Sequence, residues 1–285
     1  MSASPAEQRL EPGTDAGGEP ASATVPKVSA RGLEKRFGSG PREVHAMGPV
    51  DLDIHEGEFV CIVGPSGCGK STFVKVAAGL IPPTAGTLTL SFRDDTDARI
   101  ATVFQDYGIF PWKTVRGNVQ FALRARGVSR AEARERSEHW LRKLGLAQFG
   151  DAYPHTLSGG MRQRVAIARA LVVDPELLLM DEPFAALDAQ LREILQDELL
   201  SLHQDRGRTV VFVTHSLEEA ILLGDRVIVM SNRPGTIRDD QVVPFPRPRD
   251  PSLRESPELP RLRAKLWAHL RRDVNAQMEQ AEGER

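Results

Sequence analysis

The residues whose types and spacing could do chemistry begin with the run Gly64-Pro-Ser-Gly-Cys-Gly-Lys-Ser-Thr72. Glycine, four residues, then Gly-Lys-Ser is the spacing of a loop that cradles phosphate. Gly64, Gly67 and Gly69 let the backbone curl so that successive N–H groups converge on one anion. A helix starting at the end of the loop would add about half a positive charge from its aligned peptide dipoles. Lys70 is then expected to reach the terminal phosphates of a nucleoside triphosphate, and the Ser71 hydroxyl to hold Mg²⁺. The whole run, Gly64, Pro65, Ser66, Gly67, Cys68, Gly69, Lys70, Ser71 and Thr72, is the expected nucleotide-binding segment.

A second group lies downstream. Leu177-Leu-Leu-Met180 closes on Asp181-Glu182, an uninterrupted apolar run ending in two acids. Open α/β sheets place their ligands at the carboxyl ends of strands. An acid there, beside a phosphate loop, completes Mg²⁺ coordination, which assigns Asp181. Glu182 then faces the water that attacks the γ-phosphate and acts as general base. His215, at the end of the next apolar run, can hydrogen-bond that phosphate. The other histidines show no metal-ligand spacing.

The elements that must position these residues are legible around them. Phe59–Val63 is continuously apolar, of strand length, and leads into the loop. Phe73, Val74, Val76 and Ala77 recur at helical spacing after it, up to Gly79. Strand, glycine loop and helix together are the context the motif requires. Earlier, Val50–Ile54 and Leu88–Phe92 alternate as half-buried strands do, and Ala101–Phe104 leads into Gln105; these early strands suggest a small antiparallel sheet. Between about 106 and 156 the chain is helix-rich. Ser129-Arg-Ala-Glu132 reads as a capping box, followed by a face of Ala133, Ser137, Trp140, Leu141 and Leu144. Leu157–Met161 opens a helix over Arg162–Val173. Leu187, Leu191, Ile194, Leu195, Leu199 and Leu202 stripe another, which ends at Gly207. Thr209–Thr214 is a buried strand, Ser216–Glu219 caps the next helix, and Arg226–Met230 is the last strand expected.

The chain has 285 residues, 40% hydrophobic, with a formal net charge of −2. That composition buries a real core and gives no electrostatic case for nucleic acid. The two cysteines, Cys61 and Cys68, sit on the strand and loop already described, a placement that suggests a reducing compartment; Cys68 is expected to be an inert thiol. No run approaches the length of a membrane span and the start lacks a signal-peptide layout, so the expectation is a cytosolic protein. Residues 1–26 are nearly devoid of large apolar side chains and read as a disordered tail. From about Gln241 the composition turns to Pro and Arg, and Leu259, Leu262, Leu266 and Leu270 form an amphipathic stripe, expected to pack on the domain's own surface.

In order, Gly64–Thr72, Gln105, Leu157-Ser-Gly-Gly160, Leu178–Glu182, Ala186-Leu-Asp188 and His215 resemble the motifs of an ABC transporter ATPase subunit. They correspond to its Walker A loop, Q-loop, signature, Walker B, D-loop and switch histidine. The resemblance covers roughly residues 28 to 237. It implies an α/β fold: a P-loop NTPase core with an antiparallel β subdomain and an inserted helical subdomain. Expected domain limits are 27–240 for the ATPase, with the insert at about 106–156, and 241–285 for a linker and C-terminal helix. The resemblance implies a head-to-tail homodimer holding two ATP molecules, with Ser158, Gly159 and Gly160 reaching the nucleotide of the opposite subunit. It also implies that Phe37 stacks on adenine and that Gln105 joins Mg²⁺ and reports to transmembrane permease subunits. Met161 departs from the glutamine usual after the signature. Leu157–Arg164, Phe110-Pro-Trp112 and Arg233–Ile237 resemble the nitrate/sulfonate/taurine importer branch. That reading places the protein peripherally on the cytoplasmic face of the bacterial inner membrane, served indirectly by a periplasmic or extracellular solute-binding protein. The competing reading is a soluble ABC ATPase of DNA repair or translation, which would call for long coiled-coil heptads or two ATPase halves; neither is in this sequence.

Overall fold

The computed structural model describes residues 25–93 and 99–283. The expected disordered tail, residues 1–26, therefore lies almost wholly outside the described residues. Two sheets carry the fold. The first is three-stranded and antiparallel, with β1 (Val28–Phe37) at its centre between β2 (Val44–Ile54) and β4 (Ala85–Leu90). Along the end of β2, Val50, Leu52 and Ile54 are buried while Asp51 is exposed, as the alternation required.

The second sheet has six strands in the order β5-β6-β7-β3-β8-β9. These are β5 (Ile100–Val103), β6 (Leu177–Asp181), β7 (Thr209–Val213), β3 (Phe59–Val63), β8 (Arg226–Met230) and β9 (Ile237–Val242). All pairings are parallel except that of β9 with β8. Every residue of β3, β6 and β7 is buried. Such strands read as continuous apolar runs because helices cover both faces of a parallel sheet.

Three expectations need correcting here. The strand at Ala101–Phe104 does not join the early antiparallel sheet; β5 pairs parallel with β6. β8 is not the last strand, because β9 returns antiparallel to it. With the sequence Ile-Arg-Asp-Asp-Gln-Val, β9 is an edge strand whose charged faces leave no apolar signal. Ile194 leaves its predicted stripe and is 61% exposed, while Leu195, Leu199 and Leu202 are buried.

Helices α1 (Lys70–Ala77), α2 (Val115–Arg124), α3 (Arg130–Lys143), α4 (Gly159–Leu171), α5 (Ala189–Arg206), α6 (Leu217–Leu223) and α7 (Glu258–Gly283) complete the fold. The helix expected from Arg162 starts three residues earlier, at Gly159, because Ser158 caps it; two glycines in its first turn hide it from propensity. Ser129 likewise accepts from Glu132 N at 3.2 Å, but the Glu132 carboxylate pairs with Arg136 instead of closing the box. α2 and α3 pack on α4, with Val119, Leu123, Trp140, Leu141 and Val165 in one core. On α7, Leu259, Leu266 and Leu270 are buried against the domain, as expected of that stripe.

Candidate functional site

The order β6-β7-β3 places three neighbouring strand ends side by side. β3 runs into the glycine loop, β6 into Asp181-Glu182, and β7 into Thr214-His215. The register makes Asp181 a partner of Val213, and Val213 a partner of Ile62, so the three ends lie at one level. Ser71 and Asp181, 110 positions apart, thus converge without any local signal linking them.

The loop itself is held by close contacts. Gly69 has φ +107°, and a Cβ there would stand 2.6 Å from Met47 Cβ and 2.9 Å from the Ala46 carbonyl oxygen. β2 therefore pins the base of α1 against the loop. Lys70 is buried, and its Nζ donates to the carbonyl oxygens of Gly64 at 2.8 Å and Pro65 at 2.9 Å. Ser66 and Gly67 are exposed at the loop's crest, and Thr72 is half-buried on α1. Cys68 is 1% exposed, and burial pushes its thiol above the ordinary range despite neighbouring Lys70. It is the inert thiol expected.

Across the loop, Ser71 Oγ donates to Asp181 Oδ1 at 3.0 Å. Asp181 is buried; that burial pushes its carboxyl above the usual value, with Glu182 adding to the rise, while the Ser71 bond, Lys75 and Lys70 oppose it. A buried carboxyl with one hydroxyl partner and lysines nearby is set up to gain from a cation. Glu182 has φ +48°, a left-handed conformation rare for a side-chain-bearing residue. The bond from Glu182 N to the Val213 carbonyl at 3.0 Å holds it there. Strain of this kind costs about 1–3 kcal/mol and gathers at working sites. Its Oε2 accepts from Gln105 Nε2 at 3.5 Å and lies 3.6 Å from His215 Nδ1. The His215 side chain is 66% exposed, open to the space in front of the strands. Ser71, Gln105, Asp181 and Lys75 line a groove of about 660 Å³.

The remaining expected residues sit further out. Phe37 ends β1, pairs with Val44 on the strand that touches Gly69, and is 42% exposed with Lys35 Nζ 5.2 Å from its ring centroid. Ser158 is exposed, and its Oγ accepts from Met161 N at 3.3 Å. A Cβ on Gly159 would stand 3.3 Å from the Tyr107 hydroxyl, and one on Gly160 3.3 Å from Leu187 Cδ2. In its own chain the start of α4 therefore faces the segments after Gln105 and before Asp188, and Gly159 and Gly160 are half-buried. Sequence reasoning missed Tyr107, at φ +64° with Arg162 5.6 Å from its ring, since a lone tyrosine in a loop gives no periodic or motif signal.

Comparison with known proteins agrees with this geometry. A sequence profile described as "ABC transporter" matches residues 47–185. A Brucella abortus relative is 48% identical over 246 residues, spanning 85% of this chain and 92% of its own length. The taurine import ATP-binding protein of Rhizobium johnstonii is 45% identical over 80% of this chain and 90% of its own length. For the nitrate import ATP-binding protein of Synechocystis the identity is 44%, over 75% and 81% respectively. Among solved structures, a dimeric post-hydrolysis state of the ATP-binding cassette MJ0796 bound to ADP and phosphate superposes with a TM-score of 0.70 at 34% identity, covering 76% of this chain and 99% of that one. A phosphate loop, two acids and a histidine at adjacent strand ends, carried on a sheet shared with such cassettes, leave one conclusion: the chain belongs to the ABC transporter family, as one of its ATP-binding, ATP-hydrolysing subunits.

Proposed function

We propose that this subunit powers a bacterial importer for nitrate, taurine, another sulfonate or a similar small solute. It would work as a head-to-tail homodimer on transmembrane permease subunits, with a solute-binding protein delivering cargo outside the membrane. The names of its relatives support the cargo class, and the dimeric cassette supports the assembly. No helix of the described residues is long and apolar enough to cross a membrane.

The observation that carries the chemistry is the Ser71–Asp181 bond of 3.0 Å, with Glu182 beside it. Among the described residues no group of three His, Cys, Asp or Glu could hold a metal alone. One carboxylate and one hydroxyl, both hard oxygens, suit Mg²⁺ bound jointly with substrate phosphates. Ser71 and Asp181 would hold it, with Gln105 at the margin, and bound there it would neutralise charge on the β- and γ-oxygens. Lys70 and the loop N–H groups bind the phosphates. Glu182 accepts the proton of the attacking water, and His215 contacts the γ-phosphate. Phe37 stacks on the base. Ser158, Gly159 and Gly160, at the start of α4, close over the partner's nucleotide.

Docking falls to the segment after Gln105. Phe110, Trp112 and Phe121 form a cluster with centroids 5.5 and 4.8 Å apart about Phe110, and Trp112 is 70% exposed. Two experiments test the reading. Lesions at Lys70 and Ser158 on opposite protomers should leave one intact nucleotide site in a mixed dimer, so absence of crosstalk refutes the shared site. Purification of the tagged full chain from native membranes should bring a multi-span membrane protein, and its absence refutes the importer.

A further inference from the structure

Behind the turn that presents His215 lies a cleft of about 350 Å³, between the start of α5, the start of α6 and the segment leading into α7. A line of polar side chains crosses it. Thr214 Oγ1 donates to Glu219 Oε2 at 2.5 Å and accepts from Ser216 N at 3.0 Å, so it ties both sides of His215 to Glu219. Glu219 Oε1 accepts from Gln196 Nε2 at 3.4 Å, and Gln196 Oε1 accepts from Arg254 Nη2 at 3.4 Å. The same Nη2 donates to Asp197 Oδ1 at 2.8 Å, which fixes the guanidinium. Arg192 joins from the other side: its Nε is 3.6 Å from Glu219 Oε1, and its Nη2 donates to the Leu187 carbonyl at 3.1 Å, in the turn before Asp188.

Glu219, Gln196 and Thr214 are only 8%, 5% and 2% exposed. Buried polar groups of this kind lose most when one partner goes, because water cannot replace it. The Glu219 carboxylate is also turned away from the usual capping role. Ser216 Oγ accepts from Glu219 N at 3.3 Å, yet the carboxylate ignores the Ser216 N–H and bonds the Thr214 hydroxyl instead. Capping α6 needs only the serine, so the carboxylate serves the turn.

We propose that Glu219, Gln196 and Arg254 are positioning residues that set the orientation of the His215 turn, so that the segment before α7 takes part in nucleotide sensing. This rests on the reading of His215 as a γ-phosphate contact. The turn is braced from two sides, by Arg192 on the Asp188 turn and by Arg254 on the C-terminal segment. Movement of either would be felt at His215 without either touching nucleotide.

The test uses the full chain labelled with ¹³C in its histidine rings, with the His215 signal identified by its loss in His215→Ala. Arg254→Ala and Gln196→Met remove the line while keeping the apolar contacts around it; the Arg254 side chain is already 26% exposed. Both should shift or broaden the His215 resonance and leave that of His139, on α3 and outside this cleft, in place. Turnover should fall about three- to ten-fold with the KM for ATP within about two-fold, the weight of one ordinary hydrogen bond. Arg254→Lys should recover most of that loss. An unmoved His215 resonance in both variants overturns the brace. So does a moved resonance with wild-type turnover, provided His215→Ala is impaired. If His215→Ala keeps full turnover while the resonance moves, the brace stands and the role given to His215 falls.

Discussion

Replacing Asp181 with asparagine should make the protein more stable without nucleotide and nearly inactive with it. The Asp181 carboxyl is buried, beside Glu182, and Ser71 Oγ donates to it at 3.0 Å. Burial holds its folded-state pKa above the ordinary 3.8. Between the two values the folded chain keeps a proton that the unfolded chain has released, so stability falls as pH rises through that window. The penalty is complete once pH has passed the folded-state value. Asparagine keeps an oxygen for Ser71 and carries no charge, so it should stabilise by on the order of 1 kcal/mol. For a domain of this size that is about 2–4 °C in Tm. The assay is a melting curve at pH 7 in EDTA, repeated at progressively lower pH, along which the advantage should shrink as the wild-type carboxyl protonates. With MgATP at about 100 times Kd the wild type should gain about 2.7 kcal/mol and overtake the variant. Turnover of the variant should fall by about 10²-fold or more, since several kcal/mol of charge stabilisation is lost. A variant that melts lower than wild type at pH 7 in EDTA, or keeps its advantage at acid pH, would refute the reasoning.

Other substitutions test separate parts of the site. Glu182→Gln should bind ATP normally but turn over ~10²–10⁴-fold more slowly, the weight of a general base; near-wild-type turnover in the purified transporter removes Glu182 from that role. Gly69→Ala meets Met47 Cβ at 2.6 Å at φ +107° and should abolish nucleotide-induced stabilisation while lowering Tm, read by the same melting assay. Ser158→Ala removes the cap that accepts from Met161 N, costing about 1 kcal/mol of stability by denaturant titration, with a larger proportional loss of turnover if the serine also meets phosphate. Leu266→Ala, at a fully buried position on α7, should cost about 2–5 kcal/mol and shift the denaturation midpoint accordingly; no shift would detach α7 from the domain core.

The chemistry of this chain was legible where one backbone segment does one job. Gly64–Ser71 must curl and cap in sequence, so its spacing is its structure. β6 and β7 could be read because strands covered on both faces are apolar throughout and stop at their functional residues. What stayed hidden depends on partners chosen in three dimensions. β9 is polar on both faces and exists only because β8 offers an edge. β5 carries too short a run to announce which sheet it joins. Glu219 looked like half of a capping box, and nothing within its own helix says that the carboxylate would turn to Thr214 and Gln196. Tyr107 was invisible for the same reason, since its value comes from the glycine it stands against.

The Lys70 ammonium, folded back on the carbonyls of Gly64 and Pro65, has a bearing on selectivity. An anion arriving at the loop meets an ammonium with two of its three N–H donors already engaged. A triphosphate, which would also bring a metal to Ser71 and Asp181, has more attachments to offer than a single phosphate. Hold on the loop then grows with the number of attachments a guest makes at once.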